Sequence, residues 1–168
     1  EINSKKLLWP RKIPDYIKYE KYIAEGGYEI ANKVKNNEIS KDQIINFLNE
    51  SGLKGKGGAG FPTGKKWEIV SKHKGIKFIA INGDEGEPGT FKDRFYLEKD
   101  PHRFLEGLLV ASNFINASRV YIYIRDEYPS VIQILNKEIK ILEKEKLIEE
   151  DYFIIRRGAG AYICGEES

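Results

Sequence analysis

The stretch Lys77-Phe78-Ile79-Ala80-Ile81-Asn82-Gly83-Asp84-Glu85-Gly86-Glu87-Pro88-Gly89-Thr90-Phe91 decides the fold. It opens with a short, nearly unbroken apolar run, Phe78 to Ile81, which suits a buried strand. Three carboxylates then fall within four residues, followed by a Pro-Gly turn, and no cation appears before Lys92. A buried strand ending in such a loop belongs to an α/β architecture, where ligands gather at the carboxyl ends of parallel strands. Two further runs repeat the pattern: Val120-Tyr121-Ile122-Tyr123-Ile124 and Tyr152-Phe153-Ile154-Ile155.

Helical signals alternate with these strands. Ser40-Lys41-Asp42-Gln43 is a capping box, and Ile44, Ile45, Phe47 and Leu48 give the helix behind it one apolar stripe. Gly52 stands where a C′ glycine would end that helix. Asp100-Pro101 caps and starts another, through Phe104, Leu105, Leu108 and Leu109, and Pro129 starts a third carrying Ile132, Leu135, Ile139 and Leu142. Strands alternating with helices predict a three-layer, Rossmann-like α/β domain with a mainly parallel sheet. We place that domain at 39–168. Residues 1–38 form an arm and a short helix (Tyr28 to Lys35), with Trp9 and several tyrosines as anchors.

A second signature precedes the first strand: Gly52-Leu53-Lys54-Gly55-Lys56-Gly57-Gly58-Ala59-Gly60-Phe61-Pro62-Thr63-Gly64-Lys65-Lys66-Trp67. It holds five glycines from Gly55 to Gly64 and no carboxylate. Backbone N–H groups and lysines suit phosphate, whereas carboxylates suit hydroxyls, amides or a metal. A nucleotide-type cofactor presents both needs. The letters Gly55-x-Gly57-x-x-Gly60 match the dinucleotide fingerprint, but a helix precedes them where that fingerprint requires a strand. A P-loop is excluded as well, because Lys66 rather than Ser or Thr follows Lys65. Taken alone, the glycine loop fits a surface loop or a ligand cradle. The acidic cluster fits a solvated turn, a divalent-metal site or a cofactor contact.

Composition bounds these readings. With 168 residues and 40% apolar content the chain can bury a core. It carries 28 basic and 26 acidic residues, a net charge of +2, which argues against a nucleic-acid surface. No apolar run approaches the roughly 20 residues of a membrane span. The single cysteine, Cys164, is read as a small buried hydrophobe and cannot by itself hold an iron–sulfur cluster. His102 is read as a helix-start residue and His73 as exposed. The absence of methionine and the ending Gly165-Glu166-Glu167-Ser168 lead us to expect a piece of a longer protein.

Four stretches now stand in order: the glycine loop, Asn82-Gly83-Asp84-Glu85-Gly86-Glu87-Pro88-Gly89-Thr90-Phe91-Lys92-Asp93-Arg94, Asp100-Pro101-His102, and Gly158-Ala159-Gly160-Ala161-Tyr162-Ile163-Cys164-Gly165-Glu166-Glu167. Together they closely resemble the NADH-binding flavoprotein subunits of respiratory complex I, the 51 kDa type. Relatives of that family occur in NAD-linked hydrogenases and formate dehydrogenases. The resemblance runs from about Gly26 to the last residue and implies an FMN-binding domain in which NADH delivers a hydride to the flavin.

Carried over residue by residue, the resemblance places FMN against Gly55, Gly57, Lys66, Asn82, Asp84, Glu85, Gly165 and Glu166. It places NADH against Phe61, Glu87, Tyr162 and Glu167. It implies no catalytic side chain, since hydride transfer belongs to the cofactors, and no metal in this stretch. A ubiquitin-like domain and a 4Fe–4S domain would lie outside this chain. A small thioredoxin-like 2Fe–2S subunit and a larger iron–sulfur subunit are the implied partners. The implied location is peripheral, on the cytoplasmic side of a bacterial inner membrane or in the mitochondrial matrix. Gly83 departs from the family's commoner alanine, and Lys65 from its usual apolar or small residue. Two other classes stay open on the residues alone: a Mg-dependent nucleotide-binding or phosphoryl-transfer domain using Asp84 and Glu87, and a non-catalytic assembly relative.

Overall fold

Three parallel strands form on the apolar runs: β1 (Lys77–Gly83), β2 (Ala117–Arg125) and β3 (Phe153–Gly158), in the spatial order β1-β2-β3. The computed structural model describes residues 13–56 and 59–158. Readings made for Trp9, Gly57, Tyr162, Cys164, Gly165, Glu166 and Glu167 lie outside the described residues.

The helices are α1 (Tyr19–Ala24), α2 (Glu29–Lys35), α3 (Lys41–Glu50), α4 (Thr63–Lys72), α5 (Lys92–Lys99), α6 (Pro101–Ile115) and α7 (Pro129–Lys144). The expected boundary chemistry is present. Ser40 and Gln43 form the reciprocal capping box of α3, and Gly52 follows that helix at φ +65°. Asp100 caps α6 by accepting from the Arg103 amide at 3.3 Å, with Pro101 in the first turn. The short helix α5 was not signalled by any stripe, because five of its eight residues are charged.

The β1-to-β2 and β2-to-β3 crossovers step in the same direction across the sheet, so a common hand puts α6 and α7 on one face. There Val120, Ile122 and Ile124 are fully buried beneath Leu105, Leu109, Val131 and Leu135. In the parallel register the other face carries Phe78 beside Arg119 and Ala80 beside Tyr121. Phe78 is 55% exposed, and Ala80, Arg119 and Arg156 are exposed too. The fold is thus Rossmann-like α/β around a parallel sheet, and the described residues supply a helical layer on one side of it.

From Tyr19 onward the expected arm is helical. Its tyrosines do anchor it, since Tyr22, Tyr28 and Ala31 enter the same core as the sheet. Tyr28 is fully buried at φ 65°, in the left-handed region, immediately before α2.

Candidate functional site

The glycine loop leads through α4 into β1, and the acidic loop follows that strand. The glycine loop closes on itself: the Gly55 amide donates to the Phe61 carbonyl at 2.9 Å, and the Thr63 amide to the Leu53 carbonyl at 3.0 Å. This hairpin-like closure leads directly into α4. Between α4, β1 and α6 lies a cleft of about 500 Å³, lined among others by Gly55, Phe61, Lys66, Trp67, Ile81 and Gly107. That volume is typical of small-molecule pockets. The Phe61 ring is 44% exposed and Lys66 is exposed, so a stacking face and a cation border one opening.

The acidic loop begins at the carboxyl end of β1. Asn82 accepts from the Asp84 amide at 3.0 Å, a local turn at the strand tip. Glu87-Pro88-Gly89-Thr90 makes a second turn, closed by Thr90 N–H to the Glu87 carbonyl at 3.1 Å, with Gly89 at φ +80°. Proline followed by a positive-φ glycine is the pattern of a type II turn. Glu87 is left exposed at its start.

Glu85 points the other way. Its side chain is only 3% exposed. One oxygen accepts from the Asp93 amide at 2.9 Å, and the other from the Tyr128 hydroxyl at 2.9 Å. Burial pushes this carboxyl up, yet the amides of Asp93 and Arg94, the Tyr128 hydroxyl and the Lys92 ammonium together hold it below the ordinary carboxylate range. Burial and the same hydrogen bond raise the Tyr128 hydroxyl.

Asp84 is the second inward carboxylate, also 3% exposed, with Oδ1 3.9 Å from Arg125 Nε. Its Oδ2 is buried and has no hydrogen-bond partner among the described residues. A buried carboxylate oxygen without a donor is costly unless a ligand supplies one. A further cleft of about 420 Å³, lined by Asn82, Gly83, Tyr96, Arg103 and Phe104 among others, adjoins the same strand tip. Among the described residues no three His, Cys, Asp or Glu side chains converge to hold a metal ion.

The structure therefore brings Gly55, Phe61 and Lys66 to one cleft beside β1, and Asn82, Asp84 and Glu87 to the loop at that strand's end. It turns Glu85 inward as the loop's anchor. Sequence reasoning passed over two residues that build this loop, Arg125 and Tyr128. The available signal for Arg125 was its charge at the end of an apolar strand.

His102 is also more than a helix-start residue. It is fully buried, with Nδ1 2.8 Å from the Tyr28 hydroxyl and Nε2 2.8 Å from Glu138. Tyr16 donates to the other Glu138 oxygen at 2.6 Å. His73, as expected, is exposed.

The family described as the Nuo51 FMN-binding domain matches residues 48–168, which include both loops and all three strands. The chain belongs to this family. A subunit of the NADH-quinone oxidoreductase of Aquifex aeolicus is 41% identical over 176 residues, covering 100% of this chain and 41% of the relative. The mitochondrial 51 kDa subunit of NADH-ubiquinone oxidoreductase from Neurospora crassa is 44% identical over 140 residues, covering 76% of this chain and 28% of the relative. Among solved structures, an NAD+-reducing [NiFe]-hydrogenase in the air-oxidized state matches with a TM-score of 0.72. It is 30% identical and covers 95% of this chain and 29% of that chain. This Nuo51-family chain thus spans about two-fifths of the length of the bacterial relative. No helix among its described residues is long and apolar enough to cross a membrane.

Proposed function

We propose that this chain is the flavin-holding part of an NADH dehydrogenase subunit, binding FMN and NADH so that hydride passes from NADH to FMN. The observation that carries the reading is the buried Asp84 oxygen without a hydrogen-bond partner among the described residues, at the carboxyl end of the strand that borders the cleft of Gly55 and Lys66, in a chain of the FMN-binding family.

The residues fit the group. Lys66, exposed at the cleft, serves the FMN phosphate, and Gly55 and Gly57 let backbone approach it. Asp84 Oδ2 accepts from a hydroxyl or ring N–H of the flavin, and Asn82 offers its side-chain amide hydrogens to the same ligand. Glu85 acts from within, fixing the loop that carries Asp84. Phe61 offers its ring to NADH, and Glu87 its carboxylate to the NADH hydroxyls. Tyr162, Gly165, Glu166 and Glu167 complete the two sites. Bound FMN supplies the hydride-accepting ring, so the protein's work is stacking, orientation and charge.

Electrons then leave for iron–sulfur clusters, including a 4Fe–4S cluster elsewhere in the complete subunit, and end on quinone. The small thioredoxin-like 2Fe–2S subunit and the larger iron–sulfur subunit are the proposed partners. A peripheral place on the cytoplasmic or matrix side of the membrane follows from that assembly. Residues 1–38 serve as an arm and short helix beside the flavin domain at 39–168.

Lys66→Ala in the complete subunit tests the reading. A charge-assisted hydrogen bond is worth about 1.5–3 kcal/mol, so FMN affinity should fall roughly 10- to 150-fold while riboflavin affinity holds. Fluorescence titration with both flavins measures this. Equal losses for the two would remove Lys66 from the phosphate.

A further inference from the structure

Arg125 is the last residue of β2, and its guanidinium faces four groups of the acidic loop and its surroundings. Nη1 donates to the Glu85 carbonyl. Nε and Nη2 each donate to one oxygen of Glu127 at 3.2 Å, a two-pronged ion pair. Nε also lies 3.9 Å from Asp84 Oδ1. The guanidinium carbon sits 5.4 Å from the centre of the Tyr128 ring, whose hydroxyl holds the Glu85 carboxylate. Two successive loop residues are thus gripped by one side chain, Asp84 by charge and Glu85 by its main chain.

From this geometry we infer that Arg125 is a positioning residue for the flavin: it holds Asp84 so that Oδ2, which has no donor among the described residues, faces the bound ligand. The inference rests on the flavin reading above and extends it to a residue that does not itself touch the ligand. Glu127 has its own part. By binding two guanidinium nitrogens it sets the plane of the fork, which leaves Nη1 for the loop carbonyl. A lysine could supply charge at this place but not the planar set of donors. Arg125 acts through the hydrogen bond that Asp84 accepts from a hydroxyl or ring N–H, groups that FMN and riboflavin share, so its effect is blind to the phosphate.

The test uses Arg125→Gln, Arg125→Lys, Asp84→Asn and the double variants in the complete subunit, stripped of flavin and titrated with FMN and with riboflavin. Arg125→Gln is expected to weaken both flavins by the same factor, roughly 10- to 100-fold. Arg125→Lys should fall between this and wild type. In the Asp84→Asn background either Arg125 change should cost no more than about threefold further, because coupled residues are not additive.

Several results would overturn the role. A loss confined to FMN would make the guanidinium a phosphate ligand. Losses that multiply in the double variant would show that Arg125 acts independently of Asp84. Unchanged affinity in Arg125→Gln beside a wild type that binds would remove Arg125 alone, whereas a wild type that binds neither flavin would remove the flavin reading itself. Should Arg125→Gln fail to fold, Arg125→Lys in the two backgrounds decides by the same criteria.

Discussion

The ring of His102 links three elements: Tyr28 ahead of α2, α6 on which it sits, and Glu138 on α7. A carboxylate can only accept, so Nε2 carries the proton facing Glu138, and in a neutral ring Nδ1 then accepts from the Tyr28 hydroxyl. Tyr16 donates to the second Glu138 oxygen, which leaves each of these buried groups partnered. Tyr22 makes a parallel link, donating to Glu106 on α6 at 2.6 Å. Truncating the centre of such a relay strands a buried carboxylate and a buried hydroxyl at once. His102→Ala should therefore cost about 3–5 kcal/mol in urea unfolding. The neighbouring Asp100→Ala, which removes a cap, should cost about 1 kcal/mol. A similar small loss for both would show that His102 is only a helix-start residue after all.

At the scale of elements, two helical glycines make opposite demands. A Cβ on Gly64 of α4 would lie 2.4 Å from Asn49 Oδ1 and 3.3 Å from Leu48 Cβ, so α3 and α4 pack through the missing side chain. Gly107 of α6 has nothing within 4 Å of that position and borders the cleft instead. Gly64→Val should destabilise by about 1–3 kcal/mol through overpacking. Gly107→Ala should gain about 0.5–1 kcal/mol from helix propensity while intruding on the cleft. Paired denaturant melts check both, and a stabilised Gly64→Val would refute the close helix contact. Elements were legible where local chemistry is strong: the Ser40 box, Asp100-Pro101, Pro129 and the three apolar runs all mark real boundaries or strands. The helix α5 was not, because a charged surface helix held by Glu85 at its start has no stripe to read. The loop motifs supplied the candidate residues, but the directions of Asp84 and Glu85 depend on Arg125 and Tyr128, about 40 residues further along the chain. No local pattern encodes that pairing.

For the whole molecule, the buried ionisable groups set a pH window. Burial pushes the carboxyls of Glu85 and Glu138 up, but their donors prevail and both titrate below the ordinary 4.5. For Glu138 those donors are His102 and Tyr16. A depressed folded-state value means stability that is complete above the unfolded value and is lost as pH falls through the folded one. Tyr16, Tyr22 and Tyr28 shift upward from 10.0, chiefly by burial, with hydrogen bonds to Glu138 and Glu106 adding for Tyr16 and Tyr22. Their neutral forms are favoured by folding, so their contribution is complete below pH 10 and is lost as pH rises beyond it. These groups alone predict a plateau from about pH 5 to about pH 10, with a fall on either side. The acid limb belongs to the acidic loop and the relay, and the alkaline limb to the tyrosines that anchor residues 16–28. Tyr22→Phe removes one ionisable hydroxyl without breaking the His102 relay, and should make the alkaline fall shallower while leaving the acid limb in place. Unfolding temperature followed by circular dichroism from pH 3 to pH 11 reads both limbs. An alkaline fall identical in Tyr22→Phe and wild type would show that the buried Tyr22 hydroxyl contributes nothing to that limb.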